Sequence, residues 1–137
     1  LIAIGDSALY DNTSGYKNLV IGNNALINNT TGFQNLAIGH NTLKSNVTGF
    51  ANIAIGDSAL SANTTNWNIA IGRVALLKTT TGDKNVAIGE SALTNNVTGT
   101  NNVAIGYGSQ LAANTNNKNN RIIIIFTKSS SKANSFQ

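Results

Sequence analysis

Five carboxylates and one histidine make up the acid–base inventory of this 137-residue chain: Asp6, Asp11, Asp57, Asp83, Glu90 and His40. They are scattered, and no two form a recognisable pair. A glycosidase needs two carboxylates about 5–9.5 Å apart. There is no cysteine, so disulfides and Cys-ligated zinc or iron–sulfur centres are excluded. No P-loop, nucleophile elbow or metal-ligand cluster is present. The sequence therefore predicts no enzyme, no metal and no cofactor. The residue types that do recur at fixed spacing are aromatic, Thr, Asn and Gly, and their spacing belongs to the elements that carry them.

Those elements are repeats. Ala-Ile-Gly, once Val-Ile-Gly, ends at Gly5, Gly22, Gly39, Gly56, Gly72, Gly89 and Gly106. The spacing is 17 residues, except for one interval of 16 beside Trp67. Three before the glycine stands a branched apolar residue: Ile2, Leu19, Leu36, Ile53, Ile69, Val86 or Val103. One before it stands Ile4, Ile21, Ile38, Ile55, Ile71, Ile88 or Ile105, and between them a small residue. That period of two marks a strand rather than a helix. Four after the glycine comes Leu9, Leu26, Leu43, Leu60, Leu76 or Leu93.

A unit this short cannot bury its apolar side chains alone, so copies must stack. The sequence predicts an all-β parallel β-solenoid of seven coils over residues 1–118, with a basic tail or cap at 119–137. Stacking at ~4.8 Å gives a rod of roughly 34 Å. On it Asp6 and Asp57 lie three coils apart, about 14 Å. The Ile and Leu columns, with the branched column from Ile2 to Val103, are expected to fill the core. Glycine reaches positive φ without steric cost, and Asn tolerates it, so both suit the corners. Asn18, Asn35, Asn52, Asn68, Asn85 and Asn102 form one candidate amide ladder; Asn12, Asn29, Asn46, Asn63 and Asn96 form another, broken by Thr79. The Ala and Gly between and after the branched residues have two readings: tight packing within a coil, or close approach of a partner chain.

Charged residues make up only 10% of the chain, against roughly 25% in ordinary domains. Residues 1–117 are neutral, and the net charge of +4 sits in Lys118, Arg121, Lys128 and Lys132. A nucleic-acid partner needs basic residues clustered on one folded face, so none is expected. No apolar run reaches the ~20 residues of a membrane span. The chain opens on Leu1 and contains no methionine, so it is expected to be a piece of something longer.

Three columns are candidate surfaces. Eleven positions after Gly5, Gly22, Gly39 and Gly56 fall Tyr16, Phe33, Phe50 and Trp67. They could bind sugar rings of a glycan, or simply stack on one another at a corner. Thr31, Thr48, Thr65, Thr81 and Thr98 form a row that an ice-binding face would need; the competing reading is turn chemistry. The position after the glycine holds Asp6, Asn23, His40, Asp57, Arg73, Glu90 and Tyr107, a mixture expected only at a solvent-facing position. His40 is expected to have no stable partner there and no role as ligand or base. Asn-x-Thr/Ser sequons at Asn12, Asn28, Asn29, Asn46, Asn63 and Asn96 follow from the repeat.

The pattern N-x-A-I-G followed by small residues resembles the head repeats of YadA-like trimeric autotransporter adhesins. The fuller form N-x-A-I-G-x-x-A-L-x-x-N-x-T-G is similar to repeats of phage tail fibres and of bacterial or giant-virus surface proteins. The match runs from Leu1 to about Lys118. It implies a left-handed β-roll, a homotrimer, and an extracellular place on a bacterial surface or virion fibre. The expected function is a structural fibre segment, an adhesin head or tail-fibre shaft, that gives stiffness and presents a receptor-binding surface to a host glycan or protein. The alternative is an ice-binding solenoid. In the tail, Ile122 to Phe126 is expected to form a strand closing the solenoid, and Ser129 to Gln137 to be poorly ordered; an altered or foreign tail is the other reading.

Overall fold

A computed structural model describes residues 1–109 and 121–124. The described residues form one sheet and no helix. The strands are β1 (Ile2–Ile4), β2 (Leu19–Ile21), β3 (Leu36–Ile38), β4 (Ile53–Ile55), β5 (Ile69–Ile71), β6 (Val86–Ile88), β7 (Asn102–Ile105) and β8 (Arg121–Ile124). They pair in chain order and all in parallel, each on the next. Equivalent residues face each other: Leu36 pairs with Ile53, Ala37 with Ala54 and Ile38 with Ile55. The chain is therefore a parallel β-solenoid, with six turns between β1 and β7.

The Asn18 column lies inside and forms a continuous ladder; the second column is laddered only from Asn12 to Asn46. Asn35, Asn52, Asn68, Asn85 and Asn102 each donate their backbone N–H to the side-chain Oδ1 of the ladder Asn one coil before, at 2.9–3.1 Å. Their amide nitrogens reach forward: Asn18 Nδ2 to Gly32 O at 2.8 Å and Asn35 Nδ2 to Gly49 O at 2.9 Å. In the second column Asn29 Nδ2 donates to Asn12 Oδ1 at 2.9 Å and Asn46 Nδ2 to Asn29 Oδ1 at 3.2 Å. Where Thr79 interrupts this column, its hydroxyl donates to Asn96 O at 2.8 Å. Buried polar groups need such partners, and the repeat provides most of them; among the described residues Asn46 Oδ1 and Asn102 Oδ1 are buried without one.

The ladder also decides which face of the strand is inside. Asn18 points inward, so strand alternation turns Leu19 out, Val20 in and Ile21 out. Val20, Ala37, Ala54, Ala70, Ala87 and Ala104 are fully buried. Ile4 and Ile21 are 58% and 37% exposed, while Ile38, Ile55, Ile71 and Ile88 are half-buried; Ile105 is exposed. The expectation that the Ile column fills the core is thus overturned, whereas the Leu column holds: Leu26, Leu43, Leu60 and Leu76 are fully buried. Of the two readings of the small residues, tight packing within the coil is the one found. Ala25, Ala59, Ala75 and Ala92, three after each glycine, complete the core.

Gly5, Gly22, Gly39, Gly56, Gly72, Gly89 and Gly106 all turn corners at positive φ, as expected, but Asn has little part in the others. Eighteen of the described residues other than glycine have positive φ, and only three of them are Asn. Leu26 has φ 52° and Leu43 φ 49°. A left-handed conformation costs an ordinary residue about 1–2 kcal/mol. Full burial of a Leu side chain returns roughly 1.5–3 kcal/mol, and Leu26 N–H still donates to Thr42 O at 2.9 Å. Burial therefore offsets the strain. Glycine has two separate duties. Gly39 has φ 130°, and a Cβ there would lie 2.8 Å from Gly56 O. Gly32 is not at positive φ; a Cβ there would collide with Asn29 Oδ1 and Gly49 O.

Past residue 118 the sheet continues. Strand β8 pairs with β7, Asn102 opposite Arg121 and Ile105 opposite Ile124. The expected closing strand is present over its described part; Phe126 and Ser129 to Gln137 lie outside the described residues.

Candidate functional site

The short fourth coil rearranges two of the expected columns. Asn52 Nδ2 donates to Thr65 O at 2.7 Å, as Asn35 Nδ2 does to Gly49 O. Thr65 therefore occupies the glycine column, and the missing residue is the one equivalent to Thr48. With no glycine there, the Thr65 side chain is accommodated by its own bonds: Oγ1 donates to Gly82 O at 2.6 Å and to Asn63 Oδ1 at 3.1 Å. Asn66, not Trp67, then continues the aromatic column. Trp67 joins the next one, whose positive-φ members are Lys17, Gln34, Ala51, Lys84 and Asn101.

The rings form a ladder nonetheless. Tyr16 and Phe33 stack at 5.0 Å between centroids, and Phe33 and Phe50 at 4.8 Å, with planes within 3° of parallel. Trp67 reaches Phe50 from the neighbouring column and meets it edge-on, at 4.8 Å and 81°. Lys17 Nζ sits 5.8 Å from the Tyr16 centroid and Lys84 Nζ 5.4 Å from that of Trp67. Sugar binding by stacking needs a free ring face, and here the inner faces cover each other. Tyr16 ends the stack, so no ring covers its outer face, and Tyr16 and Trp67 are the most exposed rings, at 51% and 46%.

The Thr row is interrupted where an ice-binding face would need continuity. Thr31, Thr48, Thr81 and Thr98 are exposed, but Thr65 is half-buried in another column. In the adjoining row the hydroxyls of Thr13, Thr30, Thr64 and Thr80 donate to carbonyls one coil on, at 2.8–3.4 Å. These threonines stitch the coils together, as the turn reading expects. The sequons are largely closed by the same packing: Asn29, Asn46 and Asn63 are fully buried, and exposed Asn28 donates its amide to Lys44 O at 2.8 Å.

The column after the glycine is solvent-facing, as expected, but its members pair along the rod. His40 Nδ1 lies 3.0 Å from Asp57 Oδ1, so the expectation that His40 lacks a stable partner is corrected. Arg73 Nη2 bonds Glu90 Oε1, and this hydrogen bond and charge hold the guanidinium pKa above its ordinary value. Asp83 lies 3.8 Å from Lys84 Nζ. Exposed pairs of this kind contribute little to stability. Among the described residues no three His, Cys, Asp or Glu side chains gather as metal ligands. Among the described residues no helix is long and apolar enough to cross a membrane.

The feature that hydrophobicity alone assigned wrongly is the outer face of the sheet. Leu36, Ile38, Ile53, Ile55, Ile69, Ile71, Val86 and Ile88 form an unbroken aliphatic stripe, two columns wide, facing away from the core. The signal for it lay one residue before each strand, in the ladder Asn that fixes the parity. No protein-family model, curated protein or solved structure shows significant similarity to the chain.

Proposed function

We propose that this chain is a structural segment of an extracellular fibre, an adhesin head or tail-fibre shaft on a bacterial surface or virion, that works as a homotrimer. The observation that supports this reading is the outward aliphatic stripe, which runs the length of a ladder-bonded rod. Monomeric proteins rarely leave a continuous apolar patch of more than a few hundred Å² in water. Its stiffness comes from coil-to-coil bonds on every side: backbone ladder, two Asn columns and stitched Thr hydroxyls. The aromatic ladder of Tyr16, Phe33, Phe50 and Trp67, exposed most at Tyr16 and Trp67, is the surface offered to a host glycan or protein.

Light scattering tests the assembly. One chain weighs 14.2 kDa, so a trimer weighs about 43 kDa. The double variant Ile55→Asp/Ile88→Asp puts charges on the stripe and is expected to run as a folded monomer. A monomeric wild-type chain, or a trimer unaffected by these substitutions, would contradict the proposal.

A further inference from the structure

One corner of the rod, the one that carries the second Asn column, is fastened unequally from coil to coil. Between the coils of β2 and β3, Thr30 donates its N–H and its hydroxyl to Val47 O, at 2.8 and 3.2 Å, and Asn46 Nδ2 donates to Asn29 Oδ1 at 3.2 Å. Phe33 and Phe50 lie face to face across the same gap. Between the coils of β5 and β6, Thr80 again donates twice to Val97 O, at 2.9 and 3.4 Å, and Thr79 Oγ1 donates to Asn96 O at 2.8 Å.

Between the coils of β3 and β4 these fastenings fail together. Val47 has no hydroxyl, and neither its N–H nor that of Thr48 has a carbonyl partner in the fourth coil. Asn63 Nδ2 turns to Thr65 O in its own coil, at 2.9 Å, and Asn46 Oδ1 is left buried without a partner. Phe50 meets the edge of Trp67 instead of a parallel ring. The fourth coil is fastened to the fifth instead: Thr64 Oγ1 donates to Thr80 O at 2.8 Å, and Thr65 Oγ1 and Asn68 Nδ2 donate to Gly82 O at 2.6 and 2.9 Å. Towards the third coil the corner keeps Trp67 N–H to Phe50 O at 3.2 Å, Phe50 N–H to Asn66 Oδ1 at 2.8 Å and Asn52 Nδ2 to Thr65 O at 2.7 Å. On the strand side nothing is interrupted. Strand β4 pairs in register with both neighbours, and Asn68 N–H donates to Asn52 Oδ1 at 3.0 Å.

We propose that the rod is hinged at this level: the corner between the third and fourth coils opens while the sheet side holds. Local opening follows the path that breaks fewest bonds and exposes least apolar surface. In a stack where each coil touches only its neighbours, no distant contact reinforces a weak junction. Opening here also brings water to Asn46 Oδ1, which relieves the cost of a buried acceptor left unpaired. A rod that opens on one side bends towards the other, so lateral load is taken up at one fixed height. The inference goes beyond the fibre reading and stands without it.

Amide-resolved hydrogen exchange on the whole chain tests the hinge. Equivalent corner amides report three junctions: Ala51 N–H to Phe33 O, Trp67 N–H to Phe50 O and Asn101 N–H to Asp83 O, at 3.0, 3.2 and 3.1 Å. With the neighbouring bonds missing, Trp67 N–H is expected to be protected at least about tenfold less than the other two. Ile53 N–H, bonded to Asn68 O at 2.9 Å on the sheet side of the same junction, is expected to keep its protection. Inserting Gly after Thr65, together with Asn66→Phe, Trp67→Gln and Val47→Thr, restores the full repeat, the stacked ring and the hydroxyl. In that chain the amide at the Trp67 position is expected to rise to the protection of Ala51. Equal protection of Ala51, Trp67 and Asn101 in the unaltered chain overturns the proposal. So does loss of protection at Ile53 together with Trp67, because the whole junction then opens and no hinge exists. A folded repaired chain in which the Trp67 position still exchanges fast overturns it too; if the repaired chain does not fold, the unaltered chain decides alone.

Discussion

Exchanging sizes across one strand separates the two faces of the solenoid. Ala54 is fully buried on β4, with Ala37 and Ala70 directly below and above it in register. Ile55, the next residue, points outward. Ala54→Leu adds three carbons between coils spaced ~4.8 Å apart. Overpacking costs about 1–3 kcal/mol, and pushing the coils apart also strains ladder bonds such as Leu36 N to Asn52 O, now 2.9 Å. A loss of about 3 kcal/mol is expected, a large part of the ~5–15 kcal/mol that holds a domain folded. Ile55→Ala removes three carbons. At ~0.8 kcal/mol per fully buried methylene that is ~2.4 kcal/mol, and the half-buried side chain leaves about 1 kcal/mol. If Ile55 were the inward residue, its truncation would leave a cavity worth ~2–5 kcal/mol. The order of the two variants would then reverse. Urea midpoints, measured at concentrations dilute enough to keep the chain monomeric, decide this. Ile55→Ala proving more damaging than Ala54→Leu would refute the assignment of inside and outside.

Other consequences follow from the same packing. Asn52→Ala deletes an acceptor for Asn68 N–H at 3.0 Å and a donor to Thr65 O at 2.7 Å, stranding a buried N–H; about 2–4 kcal/mol should be lost by urea titration, against under ~0.5 kcal/mol for exposed Asn23→Ala. Gly32→Ala collides with Asn29 Oδ1 and Gly49 O and should lower the melting temperature more than Gly108→Ala, where φ is 62° but nothing lies within 4 Å. The purified chain should show no thermal hysteresis in an ice-growth assay, because the Thr row breaks at Thr65; measurable hysteresis abolished by Thr48→Tyr would restore the ice-binding alternative.

The coil count, the strands and the Asn18–Asn102 ladder were legible because identical residues at a fixed period have to stack; the second Asn column ladders only from Asn12 to Asn46, short of the expected break at Thr79. Alternation of Leu19, Val20 and Ile21 showed that two sets of side chains face opposite ways, but alternation alone does not say which set is inside. Hydrophobicity favoured Ile. Asn18, one residue earlier and hydrogen-bonded to the next coil, sets the opposite parity, and a thin cross-section has room at that strand for Ala but not for Ile. The corners were hidden for another reason. Positive φ at Leu26 contradicts local preference and persists because burial of the whole side chain outweighs it. The shift of Thr65 and Trp67 by one column was readable only after the missing residue had been located, and several alignments of the segment Thr64 to Trp67 satisfy the period equally well. His40 had a partner because the stack places residue 57 directly beside residue 40, a pairing visible once the charged column is read vertically.

Hydroxyl-radical footprinting of the unmodified chain across a dilution series tests the central claim most directly. In dilute monomer, Ile38, Ile55, Ile71 and Ile88 should label, and their labelling should fall as copies associate, while Leu26, Leu43, Leu60 and Leu76 stay unlabelled throughout. Labelled leucines, or isoleucines whose labelling is the same at every concentration, would contradict it.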